Sequence, residues 1–500
     1  MKLAVKRPTR LLTYLKEHKA TCLILMALLL NLLLESFCRR SPLGGVRFLL
    51  DAPLPFLYGA GVILLTLSLS GLFRRRYFIL LLVSILWLGL GVIECVIKGF
   101  RITPLTAIDF RIIFSVFSIL SIYLNVFEVV LICAGVVGVL ALLTWAFLTL
   151  PKDPPVDFLR AGVGCIASGL LVWGSTVLFL SSGLLASEFE NLGRAYDDYG
   201  FAYCFSCSVF SRGISEPETY SPEEVETVVE ELDETEPAPE PAAAAVKPNI
   251  IVLQLESYFD VNYLKNYTYS KDPVPVLTSL KRNYSTGFLT VPSIGAGTAN
   301  TEFEVITGMS LDYFGTGEYP YETVLQSNVC ESVCYGLKEE GYSTHAIHNH
   351  TATFYDRNLV YANLGFDTFT PLEYMKNTRQ NAIGWAEDAV LTGEILKTLR
   401  STVEEDFIYT ITVQAHGKYP TEVVDDTQTI TMTGLEDGPQ KNGIEYYLNQ
   451  LHETDAFVGE LIYALSRLEE PTVVVLFGDH LPNFTITQEE LEQGNLLQTE

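Results

Sequence analysis

Four apolar runs, near residues 53–73, 77–98, 126–149 and 160–183, are each long enough to cross a hydrocarbon core, which takes about 20 helical residues. Inside lipid every backbone N–H and C=O must be bonded within its own segment, so such runs are helices. A fifth run near 20–37 follows a start rich in Lys and Arg: Lys2, Lys6, Arg7, Arg10, Lys16 and Lys19. Alone it has the layout of a signal peptide, but Ser36-Phe37-Cys38-Arg39-Arg40 offers no small-x-small cleavage site. The sequence therefore predicts a retained anchor and a five-helix transmembrane domain over residues 1–183.

Positive charge in short loops orients such a domain. The basic N-terminus and Arg74-Arg75-Arg76 both point to the cytoplasm, and five spans from there place everything after residue 183 outside. Arg39, Arg40 and Arg47 would then lie in an external loop, against the trend. The segment 99–125 is too charged at its start to span, and it reads equally as an interfacial amphipathic helix or an external loop.

Charge separates the chain into two regimes. Residues 1–183 carry 17 Lys and Arg against 8 Asp and Glu, whereas residues 184–500 carry 16 against 51. A net charge of −26 excludes nucleic acid as a partner, because a phosphate backbone needs a Lys/Arg surface. From 184 to 246 the sequence is a juxtamembrane segment followed by an acidic, Pro- and Ala-rich linker with too little apolar content for a core. Its PAPEP stretch is expected to be extended, and the aromatic residues Tyr196 to Phe210 to lie along the bilayer or dock on the following domain. Five of the nine cysteines (Cys22, Cys38, Cys95, Cys133, Cys165) belong to the apolar segments. Cys204/Cys207 and Cys330/Cys334 read as free thiols or, in an oxidising compartment, as disulfides.

Residues 247–500 change to an α/β pattern. NIIVLQLES is a continuous apolar run with β-branched residues, the mark of a buried parallel strand. Helical stretches at 323–340, 386–400 and 442–467 alternate with the strand-like THAIHN, DFIYTITVQAH and PTVVVLFGDH, which predicts a mainly parallel sheet covered by helices. Sites in such sheets form beyond the carboxyl ends of the strands. Three strands end in reactive groups: Glu256-Ser257, His416, and Asp479-His480. Two carboxylates and an imidazole suit a divalent ion such as Zn²⁺ or Mn²⁺. The stretch Ser293 to Phe303 (SIGAGTANTEF) reads as a glycine loop feeding a helix N-terminus, where backbone N–H groups favour an anion. Spacing alone leaves Thr298 as either a nucleophile activated by a metal or, like Thr301, a simple N-cap.

NIIVLQLES, GTANTEFEVITG and VVLFGDHLP, in that order, resemble lipoteichoic acid synthases and related phosphoglycerol transferases. These are sulfatase-like members of the alkaline phosphatase superfamily, and the resemblance covers about 248–500 as well as the five-span layout. It implies that Thr298 takes up a glycerophosphoryl group from phosphatidylglycerol as a covalent intermediate. It also implies that Glu256, Thr298, Asp479 and His480 hold a divalent metal, Mn²⁺ first and Mg²⁺ second. His416, His348, Tyr355 and Arg357 match substrate-binding positions, with the Arg357 fork suited to phosphate oxygens. Tyr355 stands where the family usually has tryptophan. Members also continue well past the position where this chain stops, some twenty residues after His480, so the catalytic domain is expected to be C-terminally incomplete.

The resemblance implies a membrane-anchored phosphoglycerol transferase acting outside the cell on a membrane-anchored glycolipid, polymer or glycan acceptor. A phosphoethanolamine transferase on the same scaffold is the alternative, and a non-catalytic membrane-anchored binding module is a second. A sulfatase is disfavoured, since Thr298-Ala299-Asn300-Thr301-Glu302 lacks the C/S-x-P-x-R sequence that matures into formylglycine.

Overall fold

The computed structural model describes residues 19–482, apart from 100–102, 112–124, 154–155, 187–188, 190–191, 211–212, 215–218, 236–245, 294, 316 and 425–427, with backbone alone at 232–235. Most of the 99–125 segment, the PAPEP stretch and the acidic C-terminal run lie outside the described residues. The chain forms two compact units, one made chiefly of residues up to Arg212 and one from Gly213 onward.

The first unit is helical. Its elements are α1 (Lys19–Cys38), α2 (Gly44–Asp51), α3 (Pro53–Ser68, extended by a 3-10 turn to Leu72), α4 (Arg76–Ile97), α5 (Val126–Thr149), α6 (Phe158–Ser181), α7 (Leu192–Tyr199) and α8 (Phe201–Phe210). Five of these, α1, α3 with its 3-10 turn, α4, α5 and α6, are long and apolar enough to cross a membrane. The chain is a multi-pass membrane protein. Asn125 caps α5 through a capping box with Glu128, which sets where that span begins. The aromatic stretch Tyr196 to Phe210 forms α7 and α8 and packs on the long apolar helices of its own unit. Tyr196, Phe201, Ala202 and Cys204 share one apolar cluster with Leu34, Tyr58, Ile63 and Trp87. A buried polar anchor reinforces this packing, since the Phe201 N–H donates to Glu35 Oε1 at 2.9 Å while Arg39 pairs with the same carboxylate. All nine cysteines are free thiols.

The second unit begins with α9 (Pro222–Thr235), a helical start to the acidic segment in which the described side chains, 222–231, are exposed. It continues with β1 (Asn249–Leu255), β2 (Thr268–Tyr269), α10 (Pro275–Asn283), α11 (Thr298–Thr307), α12 (Val333–Glu339), β3 (Ser343–His348), α13 (Arg357–Asn363), β4 (Thr368–Pro371), α14 (Val390–Thr398), β5 (Asp406–Ile411), β6 (Met432–Thr433), α15 (Pro439–Leu465) and β7 (Thr472–Gly478). The helix expected over 323–340 is confined to 333–339, because two short 3-10 turns occupy 320–326 and Ser332 starts α12 afresh by capping Cys334 N–H.

The main sheet has the order β4-β3-β5-β1-β7 and every neighbouring pair is parallel. β1 is therefore an interior strand, flanked by β5 and β7, and their carboxyl ends share one edge. A small antiparallel pair, β2 with β6, stands apart. β5 is buried throughout, as its continuous apolar run requires. The core combines Ile251, Leu253 and Leu255 of β1 with Ile408 of β5 and the inner face of α15 (Tyr447, Leu451, Val458, Leu461).

Candidate active site

The parallel register brings the predicted reactive groups together. β1 delivers Glu256 one residue past its end and β7 delivers Asp479 and His480 past its own, and all three are buried. One ligand atom from each lies within 4.8 Å of the others. The backbone makes this turn under strain, with Ser257 at φ 51°, a region few non-glycine residues occupy. In return the Ser257 N–H donates to Asp479 Oδ1 at 2.7 Å and its hydroxyl donates to Glu256 Oε1 at 2.8 Å.

The N-cap alternative does not hold in the structure. α11 is capped by Gly297, not by a threonine side chain, and Gly297 sits at φ 102° where a Cβ would meet Ser293 Oγ at 2.6 Å. Thr298, the first residue of α11, turns its hydroxyl to Glu256 Oε2 at 3.3 Å. Gln254 holds the Thr298 carbonyl at 3.0 Å, and Thr301 donates to the Asp479 carbonyl at 2.7 Å. Neither threonine acts as an N-cap.

Two atoms of this cluster are buried without a hydrogen-bond partner among the described residues: Asp479 Oδ2 and His480 Nε2. The His480 Nδ1 donates to the Leu481 carbonyl at 3.0 Å, which leaves the lone pair on Nε2 aimed at the cluster. Nε2 lies 3.6 Å from Glu256 Oε1 and 3.5 Å from Asp479 Oδ2, too far for good hydrogen bonds. Unsatisfied carboxylate and imidazole atoms around one point, with a hydroxyl beside them, fit an O/N-liganded divalent cation.

Electrostatics agree. Burial, then the neighbouring Glu256 carboxylate, push the Asp479 carboxyl up to about 7. Burial pushes Glu256 up as well, but the His416 and His480 imidazoles and the Ser257 and Thr298 hydroxyls outweigh it and hold Glu256 below its usual range. Burial alone would lower His480, and the two carboxylates more than reverse this.

The histidine side of the site is built from β3 and β5. His416 follows β5, with Nδ1 at 2.6 Å from the Gly417 carbonyl and its ring 4.5 Å from that of Trp385. His348 ends β3 and donates from Nδ1 to the Ile411 carbonyl at 3.0 Å. Burial, Arg357 and His350 keep His348 well below its ordinary value, and burial, Arg357 and His416 push His350 down to about 3.

Arg357 departs from expectation. Its fork does not face open space for a phosphate: Nε lies 3.1 and 3.2 Å from the two Glu302 oxygens, Tyr361 adds a bond to the same carboxylate at 2.7 Å, and Nη1 reaches the Phe354 carbonyl. The reason is its place as the first residue of α13, which turns it into the core against α11. Tyr355 precedes it at φ 58°, followed by Asp356 at φ 49°, and its ring stacks on Tyr319 at 5.7 Å. Two consecutive left-handed residues that are not glycine mark a constrained loop. Glu302, Gln254 and Trp385 were not singled out from sequence. Glu302 alone carried a signal, an acid one helical turn past Thr298. A separate open cleft of about 740 Å³, lined by Asp260, Tyr267, Asp272 and Lys281 among others, does not include the cluster, and several of its polar groups pair with one another.

With this geometry established, the comparisons are decisive on family. The sulfatase family model matches residues 248–497. The chain belongs to the sulfatase family, within the alkaline phosphatase superfamily. This sulfatase-family chain is 29% identical over 287 residues to a putative cyclic β-1,2-glucan modification protein of Rhizobium meliloti, covering 57% of the chain and 43% of the relative. It is 25% identical over 258 residues to the lipoteichoic acid synthase of Staphylococcus saprophyticus, covering 49% of the chain and 38% of the synthase. Among solved structures, the lipooligosaccharide phosphoethanolamine transferase A of Neisseria meningitidis aligns over 93% of the chain and 83% of its own length, with TM-score 0.50 and 13% identity, a likeness of fold. The chain spans less than half the length of these two curated relatives.

Proposed function

We propose that the α/β unit is a metal-dependent phosphotransferase in which Thr298 takes a glycerophosphoryl group from phosphatidylglycerol and passes it to a lipoteichoic-acid-type or glycan acceptor at the cell surface. The observation that carries this reading is the buried cluster of Glu256, Asp479 and His480 beside the Thr298 hydroxyl, with Asp479 Oδ2 and His480 Nε2 lacking a hydrogen-bond partner among the described residues. Glu256, Thr298, Asp479 and His480 would hold the cation, Mn²⁺ before Mg²⁺. When bound it supplies positive charge to a Thr298 alkoxide and to the phosphoryl oxygens.

The chain's own residues do the rest. Glu256 fixes the Thr298 hydroxyl so that Oγ1 faces the incoming phosphorus. As the Thr298 Oγ–P bond forms, the Thr298 proton passes to Glu256 Oε2, the bond from phosphorus to the diacylglycerol oxygen breaks, and the departing oxygen takes a proton from the histidine side of the site. The acceptor hydroxyl then attacks phosphorus, its proton returns to that side, the Oγ–P bond breaks, and Thr298 Oγ takes its proton back from Glu256. His416 and His348 are assigned to phosphate binding and proton handling. Arg357, with its fork held by Glu302, contributes positive charge from behind rather than a bidentate contact. Tyr355 lines the pocket from its constrained loop. The spanning helices keep the domain at the bilayer where a lipid donor resides, and the loop charges favour the outer side.

The test is to incubate the full chain with Mn²⁺ and labelled phosphatidylglycerol and to isolate the peptide carrying Thr298. A glycerophosphoryl adduct on Thr298 is expected. Its absence with metal and donor present sinks the reading. A parallel reaction with labelled phosphatidylethanolamine decides between the two headgroups, and unchanged behaviour of Thr298→Ala would favour a non-catalytic binding module.

A further inference from the structure

We infer that Asp388 is a positioning residue that locks the two strand ends bearing His348 and His416 into one rigid arm facing the metal-ligand cluster; the inference rests on the reading of those histidines as the substrate side of the site. Asp388 is fully buried two residues before α14. Its Oδ1 accepts from Asn349 Nδ2 at 2.9 Å and from the Val413 and Gln414 N–H groups at 3.2 Å each. Its Oδ2 accepts from the Thr454 hydroxyl of α15 at 2.7 Å. Asn349 lies between His348 and His350 after β3, while Val413 and Gln414 lead from β5 to His416, whose N–H closes a turn on the Val413 carbonyl at 3.0 Å. One carboxylate thus joins both histidine-bearing ends.

The choice of a carboxylate is informative. A buried carboxylate with no Lys or Arg among these four donors is expensive, and burial does push Asp388 up to about 6. All four donors require acceptors, and an amide side chain offers only one oxygen with two N–H groups of its own. Asparagine would therefore place a donor against a donor while keeping the same shape. Gln414 adds the reciprocal bond, accepting the Asp388 N–H at 2.8 Å, and Asn381 holds the Gln414 carbonyl at 3.0 Å. None of the bonds described here for Asp388 involves Glu256, Thr298, Asp479 or His480, so the arm can be perturbed without touching the metal ligands.

The experiment uses the full chain in nanodiscs, as Asp388→Asn, Thr454→Val and Thr454→Ser. Three quantities are measured: Mn²⁺ affinity, glycerol phosphate affinity of the Mn²⁺-loaded chain, and turnover of labelled phosphatidylglycerol. Asp388→Asn is expected to bind Mn²⁺ like the parent, to bind glycerol phosphate about 5-fold more weakly, on the scale of one neutral hydrogen bond, and to turn over about 10- to 100-fold more slowly, as for a misplaced catalytic group. Thr454→Val should lie between it and the parent, and Thr454→Ser, which keeps the hydroxyl, should match the parent. If Asp388→Asn binds glycerol phosphate like the parent, or loses Mn²⁺ affinity in equal measure, the inference is wrong. Should Asp388→Asn fail to fold, Thr454→Val against Thr454→Ser decides by the same readings. A parent chain that binds glycerol phosphate but never turns over phosphatidylglycerol overturns the donor assignment, and the binding arm still decides the role of Asp388.

Discussion

Two buried acidic clusters in the α/β unit are built in opposite ways. Glu302 faces Arg357, takes both Nε contacts within 3.2 Å and accepts Tyr361 as well. Glu256 and Asp479 face each other, with His480 at 3.5 to 3.6 Å and two atoms left over. Both clusters are excluded from water, and both hang on α11, which supplies Glu302 to one and Thr298 to the other. One is closed by a cation that the chain itself provides. The other leaves Asp479 Oδ2 and His480 Nε2 without a hydrogen-bond partner among the described residues, the arrangement expected where an added cation rather than a side chain completes the cluster.

That contrast can be broken by substitution. Thr298→Ala is expected to lower phosphotransfer by about 1,000-fold or more, the scale of losing a nucleophile, with little change in the thermal midpoint of the metal-free chain. Comparable turnover by the alanine variant would place the chemistry elsewhere. Arg357→Ala leaves Glu302 charged in the core without its cation and with the Tyr361 hydroxyl still donating to it, so denaturant unfolding should show a loss of about 3–5 kcal/mol. Asp479→Asn should act with the opposite sign in the metal-free chain, because it removes one of two adjacent carboxylates while keeping an acceptor for the Ser257 and His480 N–H groups. A gain of about 1–3 kcal/mol without Mn²⁺ is expected, together with loss of the stabilisation that Mn²⁺ gives the parent. If both substitutions destabilise equally, the two clusters are not different in kind.

The sequence reveals the two halves of this contrast unequally. β1 and β7 were legible because seven-residue apolar runs ending in Glu256 and in Asp479-His480 combine a strand signal with a chemical one. Their convergence follows from parallel pairing alone. The five spans were legible for a simpler reason, since the hydrocarbon core sets helix length. The Glu302–Arg357 pair was not, because 55 residues separate the partners and only the docking of α13 on α11 joins them. Arg357 was accordingly read as a phosphate fork. β4 escaped notice because four residues ending in Pro371 carry no alternation, and its strand identity comes from pairing with β3 at the sheet edge. The packing of α7 and α8 on the spanning helices was equally hidden, since Tyr196 to Phe210 is aromatic throughout and only tertiary contacts reveal the helices it packs on.

The smallest expected effect is in pH, and it tests the open cluster directly. The Asp479 carboxyl is pushed up to about 7 by burial and by Glu256, against an ordinary value of 3.8. Between those two values the folded metal-free chain binds the proton and the unfolded chain does not. Through this group, then, metal-free stability is greatest below about 4 and declines as pH rises toward 7. A bound cation needs the carboxylate, so it must displace that proton. Below pH 7 the apparent Mn²⁺ affinity should therefore fall by about tenfold per unit, or about 1.4 kcal/mol, and level off above it. Calorimetric titration at pH 5.5, 6.5 and 7.5 in two buffers of different ionisation heat would show both the slope and the released proton. A flat affinity over that range, with no proton release, would mean that Asp479 is already ionised without metal and that the two acidic clusters are closer in character than their geometry implies.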